Sequence, residues 1–330
     1  MQPFDYIQAS EEDAAIATVA RETQAKFIAG GTNLLDLMKG GVEAPRQLVD
    51  INLLPLTKVE ALPDGGVRIG ALARNSDVAY SSLIRDRYPM LSSALLSGAS
   101  PQLRNMATVG GNIMQRTRCY YFYEPAFACN KREPGSGCAA ISGYNRIHAI
   151  FGTSDRCIAT HPSDMCVALA ALDAVIHTQG ENGKRRLPIT EFYLLPGDTP
   201  HLETVLEHGE LITAVDLPAI SPTMRSHYLK VRDRASYEFA LVSVAAALDI
   251  NDGVIRTARV ALGGVGTKPW RAYEAEEVLV NARAETATFW TAAEAMVQQA
   301  KPSQYNAFKV EMLKGALVQA LSTVTSIAGD

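Results

Sequence analysis

Hydrophobic and polar positions over the first 55 residues predict a small strand–loop–helix–strand unit. Apolar residues recur at helical spacing between Glu11 and Glu22, which indicates an amphipathic helix. The next elements are predicted to be a short buried strand, a tight Gly-Gly-Thr-Asn turn, the start of a helix and a second strand, at residues 26–29, 30–33, 34–38 and 47–51. We therefore place a first subdomain at residues 1–55.

The pattern over residues 56–218 predicts a second, larger subdomain. Ser76 or Asp77 can cap its first helix, because their side-chain oxygens accept hydrogen bonds from free N–H groups. Two alternating segments on either side of Gly180–Gly183 indicate a hairpin. The predicted strands are at 67–71, 175–178, 184–189 and 210–217, and the predicted helices are at 76–79, 90–96 and 164–174.

Pro218 to Pro222 interrupt the pattern and predict a domain boundary, after which a third domain occupies residues 223–330. Its predicted strands are at 226–231, 240–248 and 254–262, with a turn at 251–253, and its predicted helices are at 284–299 and 306–325. A sheet covered on one face by helices is the economical packing of these elements. The sequence therefore predicts an α+β fold.

Composition narrows the function classes. The 330 residues carry a net charge of −4, which does not favour nucleic-acid binding. No apolar run approaches the roughly 18 residues of a membrane-spanning helix, so we expect no membrane insertion. The N-terminal residues lack the basic start and apolar core of a secretion signal, so we expect folding in the cytoplasm unless a partner carries the chain elsewhere.

All five cysteines lie between Cys119 and Cys166, in and just after a segment (116–157) that looks like an insertion without apolar periodicity. In a reducing compartment such a group favours metal ligands over disulfides. Zinc knuckles and ferredoxin C-x2-C pairs are both absent, so the spacing leaves iron and zinc open. Cys166 follows Asp164 on an apolar helix and is expected to be a small core residue. The candidate ligands are Cys119, Cys129, Cys138 and Cys157.

Two glycine pairs, each flanked by Thr and Asn, are candidate cofactor-binding loops, at residues 28–35 and 108–112. Glycine lets the backbone approach a ligand, and successive N–H groups in such a turn can form a nest for phosphate oxygens. Two loops of this kind suggest one long ligand with a pyrophosphate, although each can also be an ordinary turn. Ser163-Asp164 is either a third piece of that site or a simple helix cap. The dinucleotide fingerprint G-x-G-x-x-G and the hydrolase elbow G-x-S-x-G are absent.

Four collinear segments, IAGGTNLLDLMK, QLRNMATVGGNI, ATHPSDM and YLKVRDRASYEFALVSVAAAL, together resemble the flavin-binding subunits of molybdenum hydroxylases. That family includes the xanthine dehydrogenase and carbon monoxide dehydrogenase medium subunits. The cysteine-bearing insertion, with RTRC-x-YFYE and ACNKREPGSGCAA, is similar to that of the heterotrimeric periplasmic aldehyde oxidoreductases, whose flavin subunit carries an extra [4Fe-4S] cluster. The 4-hydroxybenzoyl-CoA reductases also carry one. The resemblance thus favours iron over zinc.

The resemblance implies a two-part FAD-binding domain of the PCMH/vanillyl-alcohol-oxidase-like type, followed by a C-terminal antiparallel sheet with helices. It also implies roles for individual positions. The FAD pyrophosphate would lie on the glycine loop, at Ala29, Gly30, Gly31, Thr32, Asn33 and Leu34. The phosphate and ribityl region would contact Thr108, Gly111 and Asn112, and the polar chain or ring would lie near Ser163 and Asp164. The isoalloxazine would lie near Ile212, or its neighbour Leu211, and near Lys230.

The same resemblance implies a heterotrimer in which substrate is oxidised on a large subunit with a molybdenum cofactor. Electrons would pass through two [2Fe-2S] clusters of a small subunit to the FAD of this chain, and then to an external acceptor. The implied location is the periplasm, by co-export with a signal-bearing partner. One alternative is a 4-hydroxybenzoyl-CoA-reductase-like or xanthine-dehydrogenase-like flavin subunit. The others are a non-catalytic assembly subunit that is stabilised by a metal site, and a stand-alone flavoenzyme.

Overall fold

The computed structural model of the chain describes residues 1–327, so the last three residues of the predicted third domain lie outside the described part. The strands are β1 (Asp5–Gln8), β2 (Ala25–Ile28), β3 (Gln47–Asp50), β4 (Val59–Ala61), β5 (Val67–Gly70), β6 (Val175–Gly180), β7 (Gly183–Pro188), β8 (Leu211–Leu217), β9 (Met224–Val231), β10 (Val242–Asn251), β11 (Val254–Gly263) and β12 (Trp270–Arg271).

The helices are α1 (Glu12–Arg21), α2 (Leu34–Lys39), α3 (Asn75–Tyr80), α4 (Ser82–Arg87), α5 (Pro89–Ser97), α6 (Pro101–Met106), α7 (Val109–Ile113), α8 (Tyr120–Tyr123), α9 (Ala139–Ser142), α10 (Asp164–Ala171), α11 (Ile189–Phe192), α12 (Tyr273–Leu279), α13 (Thr286–Met296) and α14 (Phe308–Ser326). Within residues 1–327, none of these helices is long and apolar enough to cross a bilayer.

The N-terminal unit is a three-stranded parallel sheet in the order β1-β3-β2. Helix α1 covers it with the buried side chains Ala15, Ile16 and Val19, which recur at the helical spacing that predicted this element. Strand β1 was not predicted, because its four residues are all exposed and show no apolar alternation. The glycine loop follows β2 at the carboxyl end of the sheet, where ligands of parallel sheets commonly bind.

The second unit is a five-stranded antiparallel sheet in the order β4-β5-β8-β6-β7, packed against α5 and α10. All eight residues of α10 are buried, which explains why its sequence is apolar on every side. The hairpin predicted around residues 180–183 is found as β6 and β7, paired from Val175–Pro188 to Gly180–Gly183.

The third sheet is antiparallel, in the order β12-β11-β10-β9. We predicted helices on one face only, but both faces are covered. Val244, Ala246 and Leu248 of β10 pack on the side of α13 and α14, whereas Ala245 and Ala247 pack with α10 of the second unit. A strand buried on both faces has no polar positions to alternate, which explains the continuous apolar run at 240–248.

A charge cluster ties the second sheet together. Asp216 of β8 accepts two hydrogen bonds from Arg68 of β5, at 2.7 and 2.8 Å, and lies 2.7 Å from Nε2 of His177 on β6. Burial raises the pKa of Asp216, but the Arg68 hydrogen bonds and the His177 charge outweigh it and lower the pKa below its usual value.

This lowered pKa predicts an acid-sensitive contribution to stability. The contribution is present above the unfolded pKa of about 4 and is lost as the pH falls through the lower folded pKa. In Asp216→Asn the midpoint of urea unfolding should therefore fall more at pH 7 than at pH 3. An Asp86→Asn variant, which removes an exposed carboxylate paired with the exposed Arg85, should have the same urea midpoint as the parent protein at both pH values. Equal losses at pH 7 and pH 3 in Asp216→Asn would contradict this account.

Candidate functional site: a cofactor cavity beside a cysteine cluster

A cavity of about 1080 Å³ opens between the glycine loop, α7, the start of α10, and β8 and β9. Its size suits a large cofactor. The sequence-predicted site residues that line it are Ala29, Gly30, Gly31, Thr32, Asn33, Leu34, Thr108, Gly111, Asn112, Asp164, Ile212 and Lys230. Ser163 does not line this cavity but is bonded to Asn112, which does. The fold thus brings together residues that are up to 200 positions apart.

The glycine loop presents unpaired backbone donors to this cavity. Gly31 has a φ of +69°, a left-handed conformation that favours glycine. Among the described residues, no N–H group from Gly30 to Leu34 donates to a protein acceptor. A side chain at Gly30 would place its Cβ 2.1 Å from the carbonyl oxygen of Met106, so the two glycine-pair segments touch here. The loop has the free N–H groups that an anionic ligand requires.

The side chain of Asn33 has a role that the sequence did not indicate. Its Oδ1 accepts a hydrogen bond from the backbone N–H of Arg116 at 2.9 Å, and its Nδ2 donates to the hydroxyl of Tyr123 at 3.2 Å. Asn33 lines the cavity, and its amide joins the glycine loop to the start of the cysteine-bearing segment.

The second glycine pair is a helix rather than the predicted turn. Thr108 caps α7 by accepting a hydrogen bond from the N–H of Gly111 at 3.1 Å. Gly110 donates to the carbonyl of Ala71 at 2.7 Å, and a Cβ at this position would lie 3.2 Å from Ala71. The pair therefore permits close packing of α7 on the second sheet.

Ser163 caps a helix and also contacts the second glycine-pair segment. It caps α10 by accepting a hydrogen bond from the N–H of Cys166 at 3.1 Å, and it donates to Oδ1 of Asn112 at 2.7 Å. The hydroxyl is buried, so both bonds are shielded from water. Ser163 thereby fixes the position of α10 relative to α7, and with it one wall of the cavity.

Asp164 and Lys230 form a buried ion pair at the cavity wall. The Lys230 Nζ donates to Oδ2 of Asp164 at 2.8 Å and to the carbonyl of Ser97 at 3.1 Å. The two side chains are only 4% and 8% exposed. Tyr228 donates to Oδ1 of Asp164 at 2.6 Å, and burial, followed by the Asp164 charge, raises the pKa of Tyr228 well above its usual value. The carboxylate is thus fully partnered by protein.

Sequence reasoning missed Tyr228, although a signal was present. Tyr228 and Lys230 are two positions apart on β9, and side chains at that spacing share a face of a strand. The intervening Leu229 points to the opposite core. On this mostly half-buried strand, the tyrosine and the lysine share one acceptor, Asp164.

A second charge network lies between the cavity and the cysteine segment. Glu203 is 2.9 Å from Nε of Arg116 and 2.6 Å from Nζ of Lys131, and Arg116 also pairs with Glu43. Burial raises the pKa of Glu203, but the charges of Lys131 and Arg116 outweigh it and lower the pKa. Arg116 and Lys131 are therefore paired and largely buried.

The cysteine-bearing segment has a defined structure despite its irregular sequence. Arg132 donates to the carbonyls of Tyr121 and Phe122 at 2.9 and 2.8 Å. The buried Asn130 donates to the carbonyl of Arg156 at 3.0 Å, and its Oδ1 accepts from the N–H of Gly137 at 2.8 Å. Side chains rather than regular secondary structure satisfy much of this backbone, which explains why periodicity did not predict it.

The four candidate ligands lie in one apolar cluster. Cys119, Cys129 and Cys157 are buried, Cys138 is half-buried, and they share the cluster with Leu37, Phe122, Ala140, Ile158 and Ala159. Cys129 and Cys138 are backbone partners in a short antiparallel bridge, and Cys157 also borders the large cavity. Cys166 lies outside this cluster in the core of the second unit, and all five cysteines are free thiols.

The donor set does not form a preorganised site for a single ion. Over residues 1–327, no three His, Cys, Asp or Glu side chains are placed to hold one metal ion together. Burial raises the pKa of Cys119 to about 12 and that of Cys157 to about 11, so these thiols are protonated in the metal-free protein. Metal binding here must release protons. Four thiols are a ligand set that both iron–sulfur clusters and tetrahedral zinc sites use.

Comparison with known families gives two matches. The family described as the FAD binding domain in molybdopterin dehydrogenase matches residues 2–220, and the CO dehydrogenase flavoprotein C-terminal domain matches residues 227–324. The first match spans more than half of the chain.

Individual relatives cover nearly the whole chain. The aldehyde oxidoreductase FAD-binding subunit PaoB of Escherichia coli K12 is 51% identical over 324 residues, which are 98% of this chain and 98% of that protein. The xanthine dehydrogenase FAD-binding subunit of Escherichia coli O157:H7 is 26% identical over 98% of this chain and 97% of its own length. A solved structure of carbon monoxide dehydrogenase from Hydrogenophaga pseudoflava covers 98% of both chains with a TM-score of 0.78 at 24% identity. The predicted fold class is confirmed.

The buried ion pair predicts a large stability cost for removing one partner. Lys230→Met leaves the Asp164 carboxylate buried without its counter-ion, and we expect a loss of about 3–5 kcal/mol in the free energy of urea unfolding. Lys314→Met, which removes a lysine that pairs with the exposed Glu294 and Glu311, is the matched control and should change little. Similar small losses in both variants would show that Asp164 does not depend on Lys230.

Proposed function

Because the chain belongs to the family of FAD-binding domains of molybdopterin dehydrogenases, we propose that it is the FAD- and [4Fe-4S]-carrying electron-transfer subunit of a molybdenum-dependent aldehyde oxidoreductase. The observation that carries this proposal is the position of Cys157, which belongs to the four-cysteine cluster and also borders the cofactor cavity. The two candidate redox sites therefore meet at Cys157.

The cavity residues support an FAD site. The unpaired N–H groups of residues 30–34 are suited to the pyrophosphate, and α7 would approach the phosphate and ribityl region. Ile212, which is buried on β8, would supply an apolar surface for the ring, and the Asp164–Lys230 pair lines the same cavity. Bound FAD would supply two-electron uptake and one-electron release, and the protein residues bind and orient it.

The cysteine cluster supports an iron–sulfur site held by Cys119, Cys129, Cys138 and Cys157. We propose that it anchors the 116–157 segment and forms the side at which an external electron acceptor docks. The four ligands tie together a segment that otherwise depends on scattered side-chain hydrogen bonds. A non-catalytic assembly subunit is the alternative, and colourless purified protein would favour it.

The aldehyde assignment rests on the whole-length similarity to PaoB, at 51% identity, against 26% for the xanthine dehydrogenase subunit. We propose that the chain assembles with a large subunit that carries the molybdenum cofactor and a small subunit that carries two [2Fe-2S] clusters, and that substrate is oxidised on the large one. We further propose that the heterotrimer is periplasmic through co-export with a signal-bearing partner. Fractionation of cells with an antibody against this chain tests the location against the cytoplasmic alternative.

Gly30→Ala tests the cofactor loop. The added Cβ meets the backbone of Met106, so the loop must shift away from its partner segment. Losing one or two loop hydrogen bonds to the pyrophosphate costs about 1–3 kcal/mol, which weakens FAD binding by about 5- to 150-fold. The measurement is an FAD titration of deflavinated complex.

Gly40→Ala is the matched control for this substitution. Gly40 has a right-handed conformation, and its added Cβ meets only ordinary contacts at 3.5 Å or more. FAD affinity should be unchanged in this variant. Unchanged affinity in Gly30→Ala as well would exclude the glycine loop as the pyrophosphate site.

Cys138→Ser tests the iron site in the anaerobically purified complex. It should lose about four irons per complex, with the FAD retained. Cys166→Ser is the control, because Cys166 lies outside the cluster beside Tyr193, and it should keep all of the iron. Zinc in place of iron in the parent protein would make the cluster a structural zinc site. Intact turnover with every acceptor after iron loss would refute the acceptor-docking role.

A further inference from the structure

One histidine touches the cysteine cluster. The Nε2 atom of His148 lies 3.1 Å from Sγ of Cys119, and His148 is only 1% exposed. It is 29 residues from Cys119 in the chain, and its spacing to the other histidines gave no metal motif. The contact is created by the fold of the 145–150 segment.

The surroundings of the ring determine which nitrogen donates. Within the described residues, the Nδ1 atom of His148 is buried and has no hydrogen-bond partner. A buried N–H without an acceptor is costlier than a buried lone pair without a donor, so the proton belongs on Nε2. Cys119 as a metal-bound thiolate can only accept. Both conditions favour an Nε2–H donor pointing at the Cys119 sulfur.

The C-terminal domain holds this histidine in place. The carbonyl of His148 accepts hydrogen bonds from Nζ of Lys309 at 3.0 Å and from Nδ2 of Asn306 at 3.2 Å. Both of these residues are 0% exposed. The backbone N–H of His148 donates to the carbonyl of Asn145 at 3.0 Å. Rigid anchoring of this kind is typical of residues that orient metal ligands.

We propose that His148 is a positioning residue that donates a hydrogen bond to the thiolate of Cys119 and raises the reduction potential of the iron–sulfur cluster. The inference rests on the proposed function, because it requires the cluster. A hydrogen bond to a ligand sulfur stabilises the more negative, reduced form of the cluster relative to the oxidised form.

The first test uses the unmodified heterotrimer, reduced and labelled with ¹⁵N-histidine. Pulsed EPR of the reduced four-iron cluster should show a weak coupling to one histidine nitrogen, transmitted through the hydrogen bond. A coupling as strong as that of a directly ligated nitrogen, or no histidine coupling, would overturn the proposal. A parent complex without a four-iron signal would instead refute the proposed function itself.

The second test compares midpoint potentials by EPR-monitored redox titration. His148→Leu removes the donor and should lower the potential, whereas His148→Gln keeps an N–H donor and should recover much of the shift. Tyr144→Phe is the matched control, because this exposed side chain lies just before the 145–150 segment, contacts Tyr305 and is not part of the cysteine cluster. An unchanged potential in His148→Leu with full iron content would overturn the proposal. If His148→Leu fails to load iron, the proposal is tested by the midpoint potential of His148→Gln and by the histidine coupling in the parent spectrum.

Discussion

The cofactor cavity depends on the interactions of one buried carboxylate, that of Asp164. It stands at the start of the fully buried helix α10 and is held by Tyr228 and Lys230 of β9. Because an unpaired buried charge is costly, α10 and β9 can pack stably only in the register that brings these groups together. That register also places Ser163 against Asn112. One ion pair therefore sets the alignment of the C-terminal sheet and the shape of the cavity wall.

The cysteine segment shows how an aperiodic stretch acquires one structure. Asn130 and Arg132 satisfy backbone groups that no helix or strand would satisfy, and Asn33 links the segment to the glycine loop. Burial raises the pKa of Cys119 and Cys157, so these two thiols are protonated without metal, and binding of the proposed cluster would release protons. The polar anchors hold the backbone of the segment around the cysteines.

Much of the fold could be predicted from the sequence, because long periodic segments such as α1, α14 and the β10–β11 hairpin carry strong local signals. Short elements were not predicted: β1 is exposed on all four residues, and α7 resembles a turn because it contains two glycines, of which Gly110 packs on Ala71. The candidate loops and cysteines were identifiable from residue types alone. The contacts of Tyr228, His148 and Lys309 were not, because each depends on long-range packing rather than on neighbours in the chain.

The charge network beside the cysteines affects how the proposed cluster would be stabilised. Arg116 and Lys131 of the cysteine segment are paired with Glu43 and Glu203, which weakens their field at longer range. Burial raises the pKa of Cys157, and the Lys131 charge still opposes that shift. A neutral dipole acts beside these charges, because within the described residues His148 is the side chain at hydrogen-bond distance from a candidate ligand sulfur. Since Lys309 and Asn306 hold that histidine, the C-terminal domain takes part in setting the electron affinity of a site in the flavin-binding half.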